Sequence, residues 1–222
     1  MRSILAGTLA ISIVAAAVVS ARQFPAPAGW KWVTDTDVKI VTGLDPPEGS
    51  WLFGTMAPGW HITTRPAVTL FEPSHSGRGR FALESEIFLF PGPSDAGFGV
   101  FIGGRDLESK GRLVAFLIRR DGSAAVESHD TGRITLLRPW TKAGSILPGA
   151  ATGDDVKNVL RVEAESASVV FRVNGKQVAE IPRDGVSYDG IVGLRVGSDL
   201  NLHVTNLDVT HRLALPRRAK QP

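Results

Sequence analysis

The sequence predicts an all-β protein, a sandwich or barrel built from many short strands. Most segments alternate apolar and polar residues with a period of two, and none sustains the period of an amphipathic helix. Short turns rich in Gly and Pro separate these segments at regular intervals. Many short strands in this arrangement are typical of a β-sandwich or barrel.

The clearest strand is predicted at residues 81–90 (FALESEIFLF), where apolar residues occupy one face and Glu84 and Glu86 lie on the other. Residues 113–119 (LVAFLIR) are apolar on both faces, as central strands are. Asp121-Gly122 and Asn174-Gly175 are hairpin signals. The other predicted strands are residues 59–63, 68–71, 98–104, 124–128, 158–163, 168–173, 176–181, 191–196 and 202–209, and residues 141–157 are predicted to form a surface loop.

Residues 1–21 have the pattern of a secretory signal peptide. Arg2 precedes an uncharged apolar run that ends at Val19-Ser20-Ala21, the small residues that a signal peptidase requires. The run is short for a transmembrane helix, which needs roughly 20 residues. We therefore expect cleavage after Ala21, no membrane span in the mature chain, and a secreted or periplasmic protein. The alternative is an uncleaved N-terminal anchor.

The remaining chain is expected to hold one domain. Residues 22–54 are predicted to be a linker with an N-terminal strand region, 55–212 the β-sandwich, and 213–222 a basic flexible tail. The chain has no cysteine, which excludes disulfides, thiolate metal sites and a cysteine nucleophile.

The charge balance does not predict nucleic-acid binding. Of the 25 Lys and Arg residues, Arg2 lies in the leader, and Arg217, Arg218 and Lys220 lie in the last six residues. That leaves 21 basic against 22 acidic residues in the body of the protein, without the basic patch that a nucleic-acid reader carries. A weak electrostatic contact of the tail with an anionic surface is the remaining alternative.

Several segments resemble the concanavalin A-like lectin/glucanase superfamily, and more narrowly the bacterial secreted family known as domain of unknown function 1080, or 3-keto-disaccharide hydrolase. They are GWHIT (59–63), FALESEIFLF (81–90), FGVFIGGRDL (98–107), LVAFLIRRDG (113–122), VVFRVNGKQVAEIP (169–182) and residues 189–209. Trp60-His61 matches a Trp-His pair of the family. The resemblance implies a concanavalin A-like jelly-roll sandwich of two antiparallel sheets, one of them curved, with a concave face that holds a glycan in that superfamily.

Glu84 and Glu86 are the candidate catalytic residues. Residues i and i+2 of a strand lie on one side, about 6–7 Å apart, which suits an acid and a base across a glycosidic bond. Glucanases of the superfamily carry Glu-x-Asp-x-Glu, whereas residues 84–88 here lack the middle Asp and the second Glu. The alternative is a solvated or Arg-paired sheet face.

Arginine and tryptophan side chains are the candidate ligand contacts. Arg105 follows Gly103-Gly104, is expected to share a face with Phe101, and has paired donors for hydroxyls or a carboxylate. Arg119 ends a central strand, where the alternative is a salt bridge with Glu84 or Glu86. Trp60 and Trp140 are predicted to stack on sugar rings from loops, although packing in the core is the alternative for each.

Histidines complete the predicted ligand-binding set. His61 follows Trp60, and His203 is expected to share a polar strand face with Asn201 and Thr205. No two histidines have metal-ligand spacing, and no cofactor motif is present. Asp154-Asp155 and the pair Asp35 and Asp37 are the candidates for a structural calcium ion.

Three functions are consistent with these residues. The first is a non-catalytic module that recognises a carbohydrate or polysaccharide in a groove lined by Trp60, Glu84, Glu86, Arg105 and Arg119. The second is a glycoside or 3-keto-glycoside hydrolase that uses Glu84 or Glu86 as its acid/base. The third is a structural or protein-binding module of the cell envelope.

Overall fold

The computed structural model describes residues 25–35, 51–109, 111–184 and 187–212. The predicted leader and the tail from residue 213 onward lie outside these residues. Within them, no helix has the length and hydropathy needed to cross a bilayer.

The described residues form fifteen strands, which are joined mostly by turns. In chain order they are β1 (Lys31–Thr34), β2 (Leu52–Thr55), β3 (Trp60–Thr63), β4 (Val68–Gly77), β5 (Phe81–Leu89), β6 (Phe98–Arg105), β7 (Arg112–Ile118), β8 (Ser123–Asp130), β9 (Arg133–Lys142), β10 (Val156–Ala164), β11 (Ser168–Val173), β12 (Lys176–Pro182), β13 (Gly190–Val196), β14 (Asn201–Val204) and β15 (Asp208–His211). A short 3₁₀ turn, Leu107–Ser109, lies between β6 and β7.

Two antiparallel sheets make up the sandwich, as predicted. Sheet A has the order β1-β4-β13-β6-β7-β8-β9. Sheet B has the order β12-β11-β10-β5-β14-β3-β2, and β15 also pairs with β5. Because β1 and β2 pair within the sheets, the N-terminal strand region is part of the sandwich.

Most predicted strands are confirmed, but two segments differ from the prediction. Residues 202–209 form two strands, because Asn206 interrupts the pairing. Its side-chain oxygen accepts a hydrogen bond from the Glu86 N–H, and its backbone carbonyl accepts one from the Ser85 hydroxyl. Strand β9 was not predicted. It is the mostly exposed edge of sheet A and contains Pro139, so it lacks the buried alternation that identifies a strand in the sequence.

The hydrophobic core lies between the inner faces of the two sheets. On β5 the odd-numbered residues from Phe81 to Leu89 are buried, which is the predicted alternation. Phe116 of sheet A and Phe171 of sheet B meet in this core, with ring centroids 5.1 Å apart.

Sheet A is strongly curved, and its outer face is concave. In a flat sheet, six steps of about 4.8 Å would place β1 and β9 roughly 29 Å apart. A single cleft of about 250 Å³ nevertheless contacts Val33 of β1 and Ile134 of β9. The two edges of the sheet must therefore approach each other. We call this outer face of sheet A the trough.

Apolar side chains fill the middle of the trough. Phe101 and its neighbours form a second buried cluster on the face that points away from the core. The Phe101 ring occupies the space beside Gly193 and Gly104. A Cβ atom at Gly193 would lie 2.6 Å from a ring atom, and one at Gly104 would lie 2.9 Å from a ring atom. Leu107 covers the cluster, and Lys31 pairs with Glu108 to hold the 3₁₀ turn against β1. The residues of this cluster are Phe71, Phe101, Leu107, Leu113, Ala115 and Leu117.

We predict that Gly193→Ala destabilises the protein by at least about 2 kcal/mol. The new Cβ would lie 2.2 Å from the Leu70 carbonyl oxygen and against the Phe101 ring, so the backbone of sheet A must move. Gly144→Ala is the control, because no atom lies within 4 Å of its Cβ position, and we expect a change below about 1 kcal/mol. Equal urea unfolding curves for the two variants would refute this packing.

Candidate functional site

The structure divides the eight predicted ligand-binding residues between different faces of the sandwich. The single groove predicted from Trp60, Glu84, Glu86, Arg105 and Arg119 therefore does not form. His61, Glu84, Glu86 and His203 lie on the outer face of sheet B, Arg119 and Trp140 lie on the trough, Arg105 lies at one end of sheet A, and Trp60 packs against the core.

Glu84 and Glu86 belong to a network of ion pairs. Arg161 Nη1 donates to Glu84 Oε2 at 2.9 Å, and Lys157 Nζ donates to Glu86 Oε2 at 3.0 Å. Arg161 also donates to Glu163, which accepts a bond from Arg172. The arrangement corresponds to the alternative of an Arg-paired sheet face, with Arg161 rather than Arg119 as the partner.

Both predicted tryptophans are in contact with other side chains of the protein. The Trp60 ring lies 4.8 Å from the Trp30 ring and packs against the core. The Trp140 ring lies in the trough, where the Arg119 guanidinium stacks 3.6 Å from its centroid. The Trp140 edge occupies the space beside Gly97, because a Cβ there would lie 2.8 Å from it. Arg119 covers this face of the Trp140 ring, so a sugar could stack there only if Arg119 moved away.

His61 and His203 form a pair on sheet B, with ring centroids 6.5 Å apart. His203 Nε2 lies 2.8 Å from the Pro58 carbonyl oxygen, so this nitrogen donates. Burial, together with the nearby charge of His203, lowers the pKa of His61. His61 is therefore held in its neutral form at neutral pH.

The trough carries polar side chains at its walls, beside the apolar floor. We call the cleft between β1 and β9 the ion-pair cleft. Asp35, Thr69 and Arg195 lie on one wall, and His129 and Ile134 lie on the other, with Leu113 between them. The sequence predicts a groove lined by charged side chains, whereas the floor of the trough is apolar and only its walls are polar.

Arg195 and Asp35 form a forked ion pair in this cleft. Nη1 and Nη2 of Arg195 donate to the two Asp35 carboxylate oxygens at 2.8 and 2.7 Å. Thr69 Oγ1 accepts a further bond from Nη1 at 3.3 Å. The Arg195 side chain is only 9% exposed, whereas that of Asp35 is 51% exposed. The carboxylate is therefore fixed by a buried cation and still faces solvent.

Glu127 and His129 lie on the opposite wall of the trough. They are two residues apart on β8, so their side chains share a face. His129 Nε2 lies 3.2 Å from Glu127 Oε2, and both side chains are mostly buried. The Glu127 carboxylate orients the imidazole, and the second ring nitrogen, Nδ1, is a further hydrogen-bonding group.

A second cleft, of about 270 Å³, adjoins the first. The two clefts share Leu113 and His129. Arg105 and Arg112 line it, together with Ser187. We call it the arginine cleft.

A β-bulge directs Arg105 into the arginine cleft. Ile102 pairs with Val114 and Arg105 pairs with Arg112, so two residues of β6 lie opposite Leu113. Gly103 has φ 68°, which favours glycine at the bulge. The extra residue moves Arg105 to the opposite face from Phe101, so the prediction that they share a face was wrong.

The sequence identified Asp35 only as a candidate calcium ligand and did not identify Arg195 or His129 as site residues. Asp35 and Arg195 are 160 residues apart, and their spacing carries no signal. The signal that was available is Arg195 itself. A charge inside the apolar strand 191–196 requires a partner of opposite charge. Glu127 and His129 gave a weaker signal of a shared polar face, since they are two residues apart at the end of the predicted strand 124–128.

No group of three or more His, Cys, Asp or Glu side chains is arranged to hold a metal ion within the described ranges. Asp35 is engaged by Arg195, and Asp37 lies outside these ranges. The calcium site stays a prediction.

Comparison with known proteins supports the fold. No protein-family model matches the chain, and no curated protein does. A solved carbohydrate binding module, CBM66 from Bacillus subtilis, is similar with a TM-score of 0.59 and 17% identity, over 82% of this chain and 96% of that one. A Bacteroides ovatus GH16 protein in complex with an oligosaccharide product has a TM-score of 0.56 and 8% identity, over 84% and 97%.

A third similar structure is a Bacillus subtilis protein of unknown function with a galectin-like fold. Its TM-score is 0.55 and its identity 12%, over 81% of this chain and 88% of that one. The architecture is thus a concanavalin A-like β-sandwich, as the sequence resemblance implied. The narrower family of domain 1080 stays a prediction.

We predict that Asp35→Asn lowers the free energy of unfolding by about 2 kcal/mol, because it leaves the buried Arg195 charge without its partner. Asp199→Asn is the control. Its carboxylate lies 3.8 Å from Arg65 at the surface, and we expect a loss below about 1 kcal/mol. Urea unfolding of both variants measures the difference, and an Asp35→Asn protein as stable as wild type would contradict this account.

The lowered pKa of His61 predicts a pH dependence of stability. Unfolded His61 titrates near pH 6.5, so below that pH the unfolded chain binds a proton that the folded protein resists. Stability should fall as the pH decreases from about 7.5 to 5.5. His61→Phe should reduce this fall, whereas replacement of the exposed His211 by Gln should not. Parallel slopes for His61→Phe and wild type would show that His61 is not responsible.

Proposed function

We propose that this protein is a non-catalytic carbohydrate-binding β-sandwich that holds a glycan in the ion-pair cleft. The observation that carries the proposal is the composition of that cleft. A hydrocarbon floor at Leu113 lies between two polar walls, one formed by Asp35 with Arg195 and the other by His129, which Glu127 contacts from behind. Sugar rings have apolar C–H faces and polar edges, so they match a floor and walls of this kind.

The size of the cleft favours a short segment of glycan. Its volume of about 250 Å³ is below the roughly 300–1,000 Å³ of sites for drug-sized ligands. We infer that it takes one or two sugar units at a chain end or branch. The solvent-facing Asp35 carboxylate accepts hydroxyl hydrogen bonds, and its pairing with Arg195 fixes its direction.

The similar structures support glycan binding at the level of the fold. One is named as a carbohydrate binding module, and another was solved with an oligosaccharide product. One fold can host many functions, so the support for a glycan site comes from the side chains of the cleft and not from the fold. We also propose export across a membrane, on the evidence of residues 1–21, and membership of the domain 1080 family, on the segments that resemble it.

A hydrolase is the second candidate function. Glu84 and Glu86 support it weakly, because each is paired with a cation on the outer face of sheet B. The stronger support is Glu127 with His129, a carboxylate and an imidazole held together beside a cleft. A protein-binding module is the third candidate, supported by the exposed Ile134 and Leu136 on β9.

We predict that His129→Ala weakens glycan binding at least tenfold, because it removes a hydrogen-bonding group from the ion-pair cleft. Ile134→Ser should weaken binding less, since Ile134 contributes apolar contact at the rim and is 55% exposed. Glu84→Gln and Glu86→Gln are the controls on the opposite face and should bind as wild type does. A glycan array identifies the ligand, and calorimetry measures the affinities.

Two results would contradict the proposal. Loss of binding in Glu84→Gln or Glu86→Gln, with normal binding in His129→Ala, would move the site to sheet B. Cleavage of the bound glycan by wild type, abolished in His129→Ala, would make the protein a hydrolase.

A further inference from the structure

Two arginines lie side by side across strands β6 and β7. Arg105 and Arg112 are direct partners in the antiparallel register, so their Cβ atoms are about 4.5–5.5 Å apart. Like charges in this position destabilise a sheet unless counter-charges surround them. Both side chains line the arginine cleft.

The counter-charge in the arginine cleft is incomplete. Arg112 Nε donates to Asp130 Oδ1 at 2.9 Å. Within the part of the chain that the structure describes, no carboxylate lies within ion-pair distance of Arg105. The nearby Asp189 carboxylate instead accepts bonds from the Arg183 guanidinium and the Gly79 amide. The arginine cleft therefore carries an excess positive charge.

The existing bonds of Arg105 are weak and exchangeable. Its Nη2 and Nε donate to the Asp189 carbonyl oxygen at 3.3 and 3.4 Å, and Nη2 donates to Ser187 Oγ at 3.4 Å. These distances exceed the usual 2.9–3.0 Å, whereas a guanidinium holds an anionic oxygen at about 2.7–2.9 Å. An anion in the cleft would form shorter bonds than those it replaces, and the Ser187 hydroxyl is within reach as a further donor.

The neighbouring ion-pair cleft has a different electrostatic character. Both terminal nitrogens of Arg195 are engaged by Asp35, so its charge is compensated. The two clefts lie on opposite faces of β7 and β8, on either side of the paired residues Leu113 and His129, so the arginine cleft is a separate, cationic site.

We propose that the arginine cleft binds an anionic group of a carbohydrate through the guanidinium groups of Arg105 and Arg112. The group is a carboxylate or a sulfate ester, which both present the oxygen pair that a guanidinium recognises. The preferred ligand is thus an acidic carbohydrate. This inference rests on the proposed function for its sugar part, and on the arginine pair alone for its charge.

The test uses the mature protein and three sugars: glucose, glucuronate and glucose 6-sulfate. Side-chain Nε–Hε signals of the arginines report binding by nuclear magnetic resonance. We expect glucuronate or glucose 6-sulfate to bind at least tenfold more tightly than glucose and to shift the Arg105 and Arg112 signals. Comparison of the two anions decides between a carboxylate and a sulfate.

Variants assign the effect to the arginine cleft. Arg105→Gln and Arg112→Gln, tested separately, should each lower the affinity for the preferred anion at least tenfold. Neither should change the affinity for glucose. Arg78→Gln is the matched control, because Arg78 is an exposed arginine in the turn after β4. Raised salt should weaken binding of the anion and not of glucose.

The outcomes separate the inference from the proposed function. Equal affinity for glucose and both anions, with unmoved arginine signals, overturns the inference and leaves glycan binding intact. If the anionic sugars bind and no neutral glycan binds, the anion site is supported and the proposed binding of a glycan in the ion-pair cleft is overturned. Failure of all three sugars and of a glycan array overturns both.

Discussion

The curvature of sheet A is the constraint on which the rest of the structure depends. The ring of Phe101 lies on the outer face, over positions where Gly193 and Gly104 have no side chain. This allows the sheet to close around a second apolar cluster, and the edges β1 and β9 approach until they line one cleft. Without that curvature, the polar groups of the two walls would face open solvent far apart.

Charge is used differently on the two outer faces of the sandwich. On sheet B, acidic and basic residues alternate across strands, as in the pair of Glu84 with Arg161, and Glu84, Glu86 and Glu163 each have a cation within ion-pair distance. Such exposed networks contribute solubility and modest stability. In the trough, by contrast, Arg195 is buried and fixes a carboxylate that still faces solvent. Fixed polar groups beside an apolar floor favour recognition of a ligand, and this is why the trough and not sheet B is the candidate site.

The sequence predicted the fold well because local alternation reports burial. Strand β5 and the Asn174-Gly175 turn are confirmed, with φ 50° and 78° at the two turn residues. Strand β9 could not be predicted, since an exposed edge strand has no buried face to produce a pattern.

The site was harder to predict, because its residues meet only through the topology. The Arg195–Asp35 pair joins two strands from opposite ends of the chain. The position of Arg105 depends on a single extra residue in β6, because this residue moves the Arg105 side chain to the opposite face of the sheet. Local patterns identify which residues are polar, but register and bulges decide which of them share a surface.

Mapping of backbone amide shifts during titration with a bound glycan tests the central claim most directly, because it locates the ligand without altering the protein. The account predicts that the largest shifts occur on the trough, at Asp35, His129 and Arg195 and along the adjoining strands. Shifts concentrated instead around Glu84, Glu86 and Lys157 on the outer face of sheet B would contradict it.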